Sequence, residues 1–387
     1  MKGFYLDILI PFLIYGLSQS ECQSQPDSRN HNIVTYSSSV FQAGDGNYDF
    51  YRIPSLLFAD NHIYAFAEGR KNSLSDHGQI DIVMKISDDQ GKTWGDLTII
   101  TDFNNQSSQN PTPVYIKEEH KIILLFTKRT VASDTEDKIR EGTSEGYVGA
   151  YVTESVDKGN TWSEIVEITD DVKLKNWRWY AFGPGGAIII QNVLPYKGRI
   201  IVPANHSSLG GKGNEFLGAH IVYSDDSGKS WHIGAVDSEG AGSVNPNELT
   251  VVENRENILY FNTRNQNSRP DSISNRAITY SHDGGITFKR KFFHEPQLIT
   301  PVVHASITRS KENIIFIAPN DDQERKNLAM WISKNETQTW LPPILLQEGF
   351  AAYSSSVMLA ENLVGILYES GIDQSYQTIL FIAVILD

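Results

Sequence analysis

The stretch Ser87-Asp88-Asp89-Gln90-Gly91-Lys92-Thr93-Trp94 decides how this chain is read, because close copies of it recur. They are Ser155-Val156-Asp157-Lys158-Gly159-Asn160-Thr161-Trp162, Ser224-Asp225-Asp226-Ser227-Gly228-Lys229-Ser230-Trp231 and Ser281-His282-Asp283-Gly284-Gly285-Ile286-Thr287-Phe288. A worn fifth copy, Ser333-Lys334-Asn335-Glu336-Thr337-Gln338-Thr339-Trp340, has Asn for the Asp and Thr for the Gly. The shared pattern is Ser-x-Asp-x-Gly-x-Thr/Ser-aromatic, and each fixed residue has a job in a tight turn between strands. The Asp accepts hydrogen bonds from turn amides, the Gly supplies a backbone angle that other residues resist, and the aromatic buries against a neighbouring unit. One octet says little, since Asp-x-Gly turns are common. Four good copies and one worn copy, about 50 to 70 residues apart, describe a repeat architecture. As calcium loops they are poor, each offering one or two carboxylates where calcium takes about six to eight oxygens.

Between the octets run short segments of β-branched and aromatic residues, such as 53–58, 62–67, 121–127, 199–204, 258–262, 314–318 and 363–368, punctuated by Gly, Asn, Asp and Pro. No long helical pattern interrupts them, so the expected fold is all-β. Short strands with one repeated turn and one buried aromatic per unit make a β-propeller. About 355 residues at roughly 60 per blade make it six-bladed. A β-helix or a pair of sandwiches is the competing architecture. The apolar segment 378–386 is expected to close the ring by pairing with early sequence.

The chain has 387 residues, 40% hydrophobic and 11% aromatic, ample for a large core. Residues 1–22 read as a secretory signal peptide: Lys2 precedes an apolar run over 8–17, interrupted by Pro11 and too short to span a bilayer comfortably. Residues 23–32 read as a disordered polar lead and 33–387 as one domain. This implies a secreted or periplasmic protein with no transmembrane segment in the mature chain. The one cysteine, Cys22, lies beside the cleavage region, so the mature domain holds no internal disulfide. A lipid anchor at Cys22 is the alternative, although Glu21 fits a lipoprotein signal badly. Asn105-Gln106-Ser107, Asn205-His206-Ser207 and Asn335-Glu336-Thr337 match the glycan acceptor pattern, which matters only in a eukaryotic source. A net charge of -14 argues against a nucleic-acid partner, and an anionic ligand would need a locally positive site. No metal or cofactor is expected, and the chain is read as a monomer.

Local positive charge is available. Tyr51-Arg52-Ile53-Pro54 puts an arginine where the repeats begin, Asn262-Thr263-Arg264 puts one at a strand end, and Arg325 precedes another strand. Three arginines from separate blades can meet at a propeller mouth and hold one carboxylate, since guanidinium is permanently charged and pairs in a fork with two oxygens.

With these motifs the sequence resembles the non-viral exo-sialidases, or neuraminidases, over 51–369. The resemblance rests on Tyr-Arg-Ile-Pro, the aspartate boxes, Phe182-Gly183-Pro184-Gly185, Asn247-Glu248, Asn262-Thr263-Arg264, Arg325, Ala352-Tyr353-Ser354 and Leu367-Tyr368-Glu369, in the family's order. It implies that Arg52, Arg264 and Arg325 bind the carboxylate of sialic acid, with Glu369 orienting Arg52. It implies Arg70 at the sugar's 4-hydroxyl and Asp76, on the loop after Ala67-Glu68-Gly69-Arg70, as general acid/base. It makes Tyr353 the nucleophile and Glu248 its base. Tyrosine nucleophiles are a known sialidase exception among glycosidases. Tyr180 and Phe182 are expected pocket lining, with Asn205 and His206 as weaker candidates. The implied activity is retaining hydrolysis of terminal sialic acid from glycoconjugates. A trans-sialidase, intramolecular or not, would share every one of these residues. A binding propeller without catalysis would keep the arginines and lose the acid or the nucleophile.

Overall fold

The structure is a computed structural model that describes residues 33–386, apart from Val193 and residues 210–214, 238–243 and 267–274. The leader, the polar lead and Cys22 lie outside the described residues, and residues 33–387 form one compact unit. The apolar runs form strands and group into six antiparallel four-stranded blades around a common axis. Blade 1 is Phe50–Ala59, His62–Arg70, Ile80–Ser87 and Thr98–Ile99, and blade 2 is Ser107–Ile116, Lys121–Arg129, Val148–Ser155 and Val166–Glu167. Blade 3 has Trp177–Phe182 with Ile188–Ile189 innermost, then Ile200–Leu209, Glu215–Ser224 and His232–Val236. Blade 4 is Pro246–Glu253, Leu259–Asn265, Arg276–Ser281 and Phe293–His294.

Blades 5 and 6 share a strand. Ser306–Arg309, Ile314–Pro319 and Lys326–Ser333 are completed by the start of the 17-residue strand Ile344–Ala360, whose far end pairs with Leu363–Ser370 as the inner strand of blade 6. Blade 6 continues through Thr378–Ile385 and ends on the first strand of the chain, Val34–Gln42, which pairs with it from Val34↔Val384 to Gln42↔Thr378. The ring thus closes as the sequence leads one to expect, by early sequence laid against the C-terminal strand.

Both faces of every blade are covered, which is why the strands read as nearly continuous apolar runs rather than clean alternations. Among the described residues, six core clusters fill the six seams. The seam between blades 1 and 2 holds Tyr64, Phe66 and Met84 against Leu124, Phe126 and Tyr151; that between 6 and 1 holds Phe381 and Leu367 against Ile63 and Tyr51.

The aspartate boxes all join a third strand to an outer strand, and their hydrogen bonds repeat. In the first, Ser87 Oγ donates to Asp89 Oδ1 (2.8 Å) and accepts from Gly91 N (2.8 Å), while Asp89 accepts from Thr93 N (2.9 Å) and Thr93 Oγ1 (2.7 Å). In the worn box Asn335 Oδ1 still accepts from Thr339 N at 2.9 Å, and its Nδ2 donates to Thr339 Oγ1 at 2.8 Å. The amide thus replaces the carboxylate by reversing one bond.

Each box glycine leans on the blade before it. A Cβ on Gly91 would lie 2.3 Å from Phe381 in blade 6, one on Gly159 3.1 Å from Met84 in blade 1, and one on Gly228 2.5 Å from Ile123 in blade 2. The boxes are therefore staples between blades as well as turns. Gly91→Ala adds a methyl at φ +91 against a rigid aromatic ring. It should destabilise the domain by about 1–3 kcal/mol and lower the thermal midpoint by a few degrees. A midpoint equal to the parent's in differential scanning calorimetry would show that the box does not bear on the seam.

Candidate active site

A cavity of about 200 Å³ takes its walls from blades 1, 2, 3, 4 and 6, including Arg70, Asp76, Asn110, Trp179, Glu248, Arg264 and Tyr353. The inner strand of blade 1 makes an irregular turn into it. Its pairing breaks between Arg52 and Ser55, and Ile53 takes a φ of 55°, which a β-branched residue rarely adopts. The turn aims the Ile53 amide at the fully buried carboxylate of Glu369, whose Oε1 accepts from Ile53 N (2.9 Å) and Arg52 Nε (3.0 Å). Oε2 accepts from Arg52 Nη2 (3.3 Å) and Tyr353 N (3.2 Å). One carboxylate thus fixes an arginine of blade 1 and the main chain of Tyr353 in blade 6.

The Tyr353 hydroxyl lies 2.8 Å from each oxygen of Glu248 and accepts from Arg264 Nη1 at 2.7 Å. Arg264 Nη1 also reaches Glu248 Oε2 at 2.8 Å. Burial, reinforced by Glu248, raises the phenol above its ordinary pKa against the pull of Arg264, Arg325 and Arg52. The phenol is therefore neutral at rest, with an acceptor already on its proton. The Arg52 guanidinium lies 5.2 Å from the centre of the Tyr353 ring and that of Arg325 5.4 Å. Burial works against the charge on Arg52, but Glu369 and Tyr353 more than offset it and the group stays cationic. All three arginines, from blades 1, 4 and 5, meet at one tyrosine of blade 6. His304 packs against the same ring at 5.7 Å, and burial beside Arg276 and Arg264 holds its imidazole neutral.

Asp76 hangs over the cavity on the loop between the second and third strands of blade 1. Arg70 Nη1 binds its Oδ1 at 2.8 Å and the Leu74 carbonyl at 2.6 Å, and Gln109 Nε2 binds the Asp76 carbonyl at 3.0 Å. Arg52 Nη1 stands 3.6 Å from the same Oδ1. Burial pushes the Asp76 carboxyl up, but Arg70 and Arg52 overcome this and hold it below the usual carboxylate range. The side chain is still 61% exposed, so it is reachable from the cleft.

Glu68, given no role from sequence, is fully buried and holds Arg70 through Nε (3.0 Å) and Nη2, while its Oε1 accepts from Asn110 N (3.0 Å). The signal was present: Glu-x-Arg on a strand puts both side chains on one face. Glu136, Asp137 and Arg140 also reach the cavity, from the short helix Glu136–Glu141.

The expectation that Tyr180 and Phe182 line the pocket is corrected. Both are fully buried in the core, and their strand neighbours Trp179 and Ala181 line the cavity instead, because side chains alternate across a strand. Asn205 is also a wall residue, 1% exposed, and its amide oxygen and nitrogen have no hydrogen-bond partner among the described residues. His206 is buried against Trp177 and His220 and faces away from the cavity lining. Arg52, Arg70, Asp76, Glu248, Arg264, Arg325, Tyr353 and Glu369 gather in one place.

The BNR repeat-like domain family matches residues 61–366. A sialidase of Bacteroides fragilis is 26% identical over 359 residues, spanning 86% of this chain and 62% of the relative, so the chain corresponds to less than two thirds of that protein. Sialidase-2 of Cricetulus griseus is 24% identical over 390 residues, covering 90% and 95% of the two chains. In structure, the intramolecular trans-sialidase of Ruminococcus gnavus superposes with a TM-score of 0.74 at 19% identity, over 90% of this chain and 97% of that one, and so shares the fold. A family match over most of the chain, with aspartate boxes at its turns and sialidases among the relatives that span it, means that this chain belongs to the BNR repeat-like family in its non-viral exo-α-sialidase branch.

Proposed function

We propose that the protein hydrolyses terminal α-ketosidic sialic acids from glycoproteins, glycolipids and oligosaccharides with retention of configuration. The observation that carries this reading is the meeting of Arg52, Arg264 and Arg325 at Tyr353, whose hydroxyl is already bonded to Glu248. The arginines take the carboxylate on the anomeric carbon and so bring that carbon to the phenol. The ring atom opposite the anomeric carbon, C5, then faces blade 3, where Trp179, Ala181 and Leu217 meet the amide of Asn205, unpartnered among the described residues. An N-acyl substituent supplies apolar surface and one amide to such a wall.

In the first step the Tyr353 oxygen bonds to the anomeric carbon as the bond to the leaving sugar breaks. Glu248 takes the phenol proton and Asp76 gives a proton to the departing oxygen. In the second, Asp76 takes a proton from water, whose oxygen bonds to the anomeric carbon as the bond to Tyr353 breaks, and Glu248 returns its proton to the phenol. Two inversions give retention. A neutral phenol suits a carbon that already carries a carboxylate, because an anionic nucleophile would be repelled and this one develops charge only beside Arg264. The reading carries with it export through the apolar leader and action as a monomer.

Tyr353→Phe keeps the ring between Arg52 and Arg325 and removes the nucleophile. Its kcat should fall by about a thousandfold or more while affinity for sialic acid stays within about tenfold; near-normal turnover would remove the tyrosine from this role. With sialyllactose, and lactose as acceptor, the main product should be free sialic acid of retained configuration. A transfer product or an anhydro sugar would replace hydrolysis with trans-sialidase chemistry.

Asp76 must carry a proton to act as an acid, yet its arginine partners keep it ionised in the free protein. A bound carboxylate takes Arg52 and adds a negative charge nearby, and both effects raise the Asp76 pKa. The complex then holds more protons than the free protein, so binding takes up a proton and affinity rises as pH falls between the two pKa values. Titration calorimetry of an unsaturated sialic acid at a series of acidic pH values, in buffers of different ionisation enthalpy, should show this uptake, and Asp76→Asn should abolish it. Uptake that persists in Asp76→Asn would assign the proton to another group.

A further inference from the structure

The loop that follows Glu369 grips one of the three arginines at two points. Ser375 Oγ donates to the Arg325 carbonyl at 3.0 Å, and the next residue, Tyr376, accepts from Arg325 Nη1 at 2.9 Å. The ring of Tyr376 also carries the Arg52 guanidinium, whose central carbon lies 4.4 Å from the ring centre, closer than it stands to the Tyr353 ring. Tyr376 is half-buried against Ile53, Val303, Ala352 and Tyr353, so the ring is packed rather than free to swing. The loop is braced from within. Gln377 N donates to the Ser370 carbonyl at 3.1 Å, Gln377 Oε1 accepts from the amides of Ile372 and Asp373, and Ser375 is buried.

We propose that Tyr376 is a positioning residue that sets the spacing and aim of Arg52 and Arg325, and so makes the two behave as one carboxylate clamp. This rests on the reading of the arginines as the carboxylate site. Two guanidinium groups this near each other repel, and Glu369 neutralises only Arg52. An aromatic face attracts the first cation and a phenol oxygen accepts from the second, so a single uncharged side chain holds both without competing for the incoming anion. A carboxylate residue here would hold them more tightly and occupy the donors that the substrate needs. Arg325 Nη2 already donates to the Val302 carbonyl at 3.0 Å. With Nη1 tied to Tyr376 as well, the group cannot rotate, and its remaining N–H bonds keep a fixed direction.

The test compares Tyr376→Phe, which keeps the ring under Arg52 and loses the bond to Arg325, with Tyr376→Leu, which loses both. The probes are 2-deoxy-2,3-didehydro-sialic acid and its C1 methyl ester, with KM and kcat on sialyllactose measured alongside. Because the carboxylate is bound equally before and during reaction, Tyr376→Phe should weaken the acid and raise KM by about tenfold, leaving kcat within about twofold. Affinity for the ester should be unchanged, and Tyr376→Leu should weaken the acid further. Equal weakening of acid and ester would reduce Tyr376 to general packing, and an unchanged acid affinity would dismiss it outright; either overturns the proposal. Arg325→Ala separates this from the underlying reading. If that variant keeps the parent's preference for acid over ester, the carboxylate site itself is wrong and the proposal falls with it. If it loses the preference while Tyr376→Phe retains it, the site stands and the proposal alone falls.

Discussion

The buried carboxylate of Glu369 is the interaction on which the site depends, because at the seam between blades 6 and 1 it holds Arg52 to a residue 317 positions away in sequence. The chain crosses this seam from the outer strand of blade 6, Val34–Gln42, to the inner strand of blade 1, while the inner strands that carry Arg52 and Tyr353 meet each other through packing and hydrogen bonds. Glu369 spans that seam with four donors: two from Arg52, and the main-chain amides of Ile53 and Tyr353. Removing one partner of such a buried pair typically costs about 3–5 kcal/mol, since the remaining charge is left without water or counter-ion. The left-handed Ile53 is the local cost of this arrangement, about 1–3 kcal/mol of backbone strain held in place by the bond it makes possible. Glu68 repeats the device one seam further on, accepting from the amide of Asn110, another residue of positive φ, while holding Arg70.

The division of labour between scaffold and site follows from this. The repeated octets look acidic and reactive in sequence, yet their aspartates are spent on turn amides and hydroxyls, and the hydrogen bonds hold Asp89 and Asp226 at a pKa of about 2. The site is made of residues that do not repeat, delivered by strand ends and loops around the axis. Four of the seams carry a box glycine on the earlier blade, and the worn box serves the next with a buried Thr337 in place of glycine. The seam between blades 5 and 6 has no box and is crossed instead by the strand Ile344–Ala360, which belongs to both.

The propeller, its closure and the cluster of arginines, acids and tyrosine were legible because each is carried by a motif with a fixed residue type: the octet's Asp and Gly, the Arg of Tyr-Arg-Ile-Pro, the Glu after Leu-Tyr. What was misread or unread depended on geometry that spacing does not encode. Whether Tyr180 or Trp179 faces the cavity turns on a one-residue choice of face within a strand whose residues 179–182 are aromatic or apolar on both sides, so hydrophobicity cannot choose. Tyr376 lies in a loop of ordinary composition and becomes meaningful only when that loop is folded against Arg325. Asn205 reads as a glycan acceptor in sequence but is a buried wall residue, a place no glycan can be attached in the folded domain.

The seat of the first octet has a consequence for synthesis. Gly91 and Trp94 rest on Phe381, and Tyr36 and Ser38 of the closing strand bind the carbonyls of Gln90 and Gly91. A ribosome making roughly 5–20 residues per second needs on the order of 15 to 60 s to travel from that octet to its seat. During that interval the first blade has a bare flank, and the strand that will cover it has left the ribosome even earlier with nothing to pair against. The first blade and the strand Val34–Gln42 are therefore both waiting for the same eight residues, Thr378–Ile385. This late segment is the one that turns a row of blades into a ring, and a chain cut short before it would contain every reactive side chain of the site without the closure that brings them to bear on one substrate.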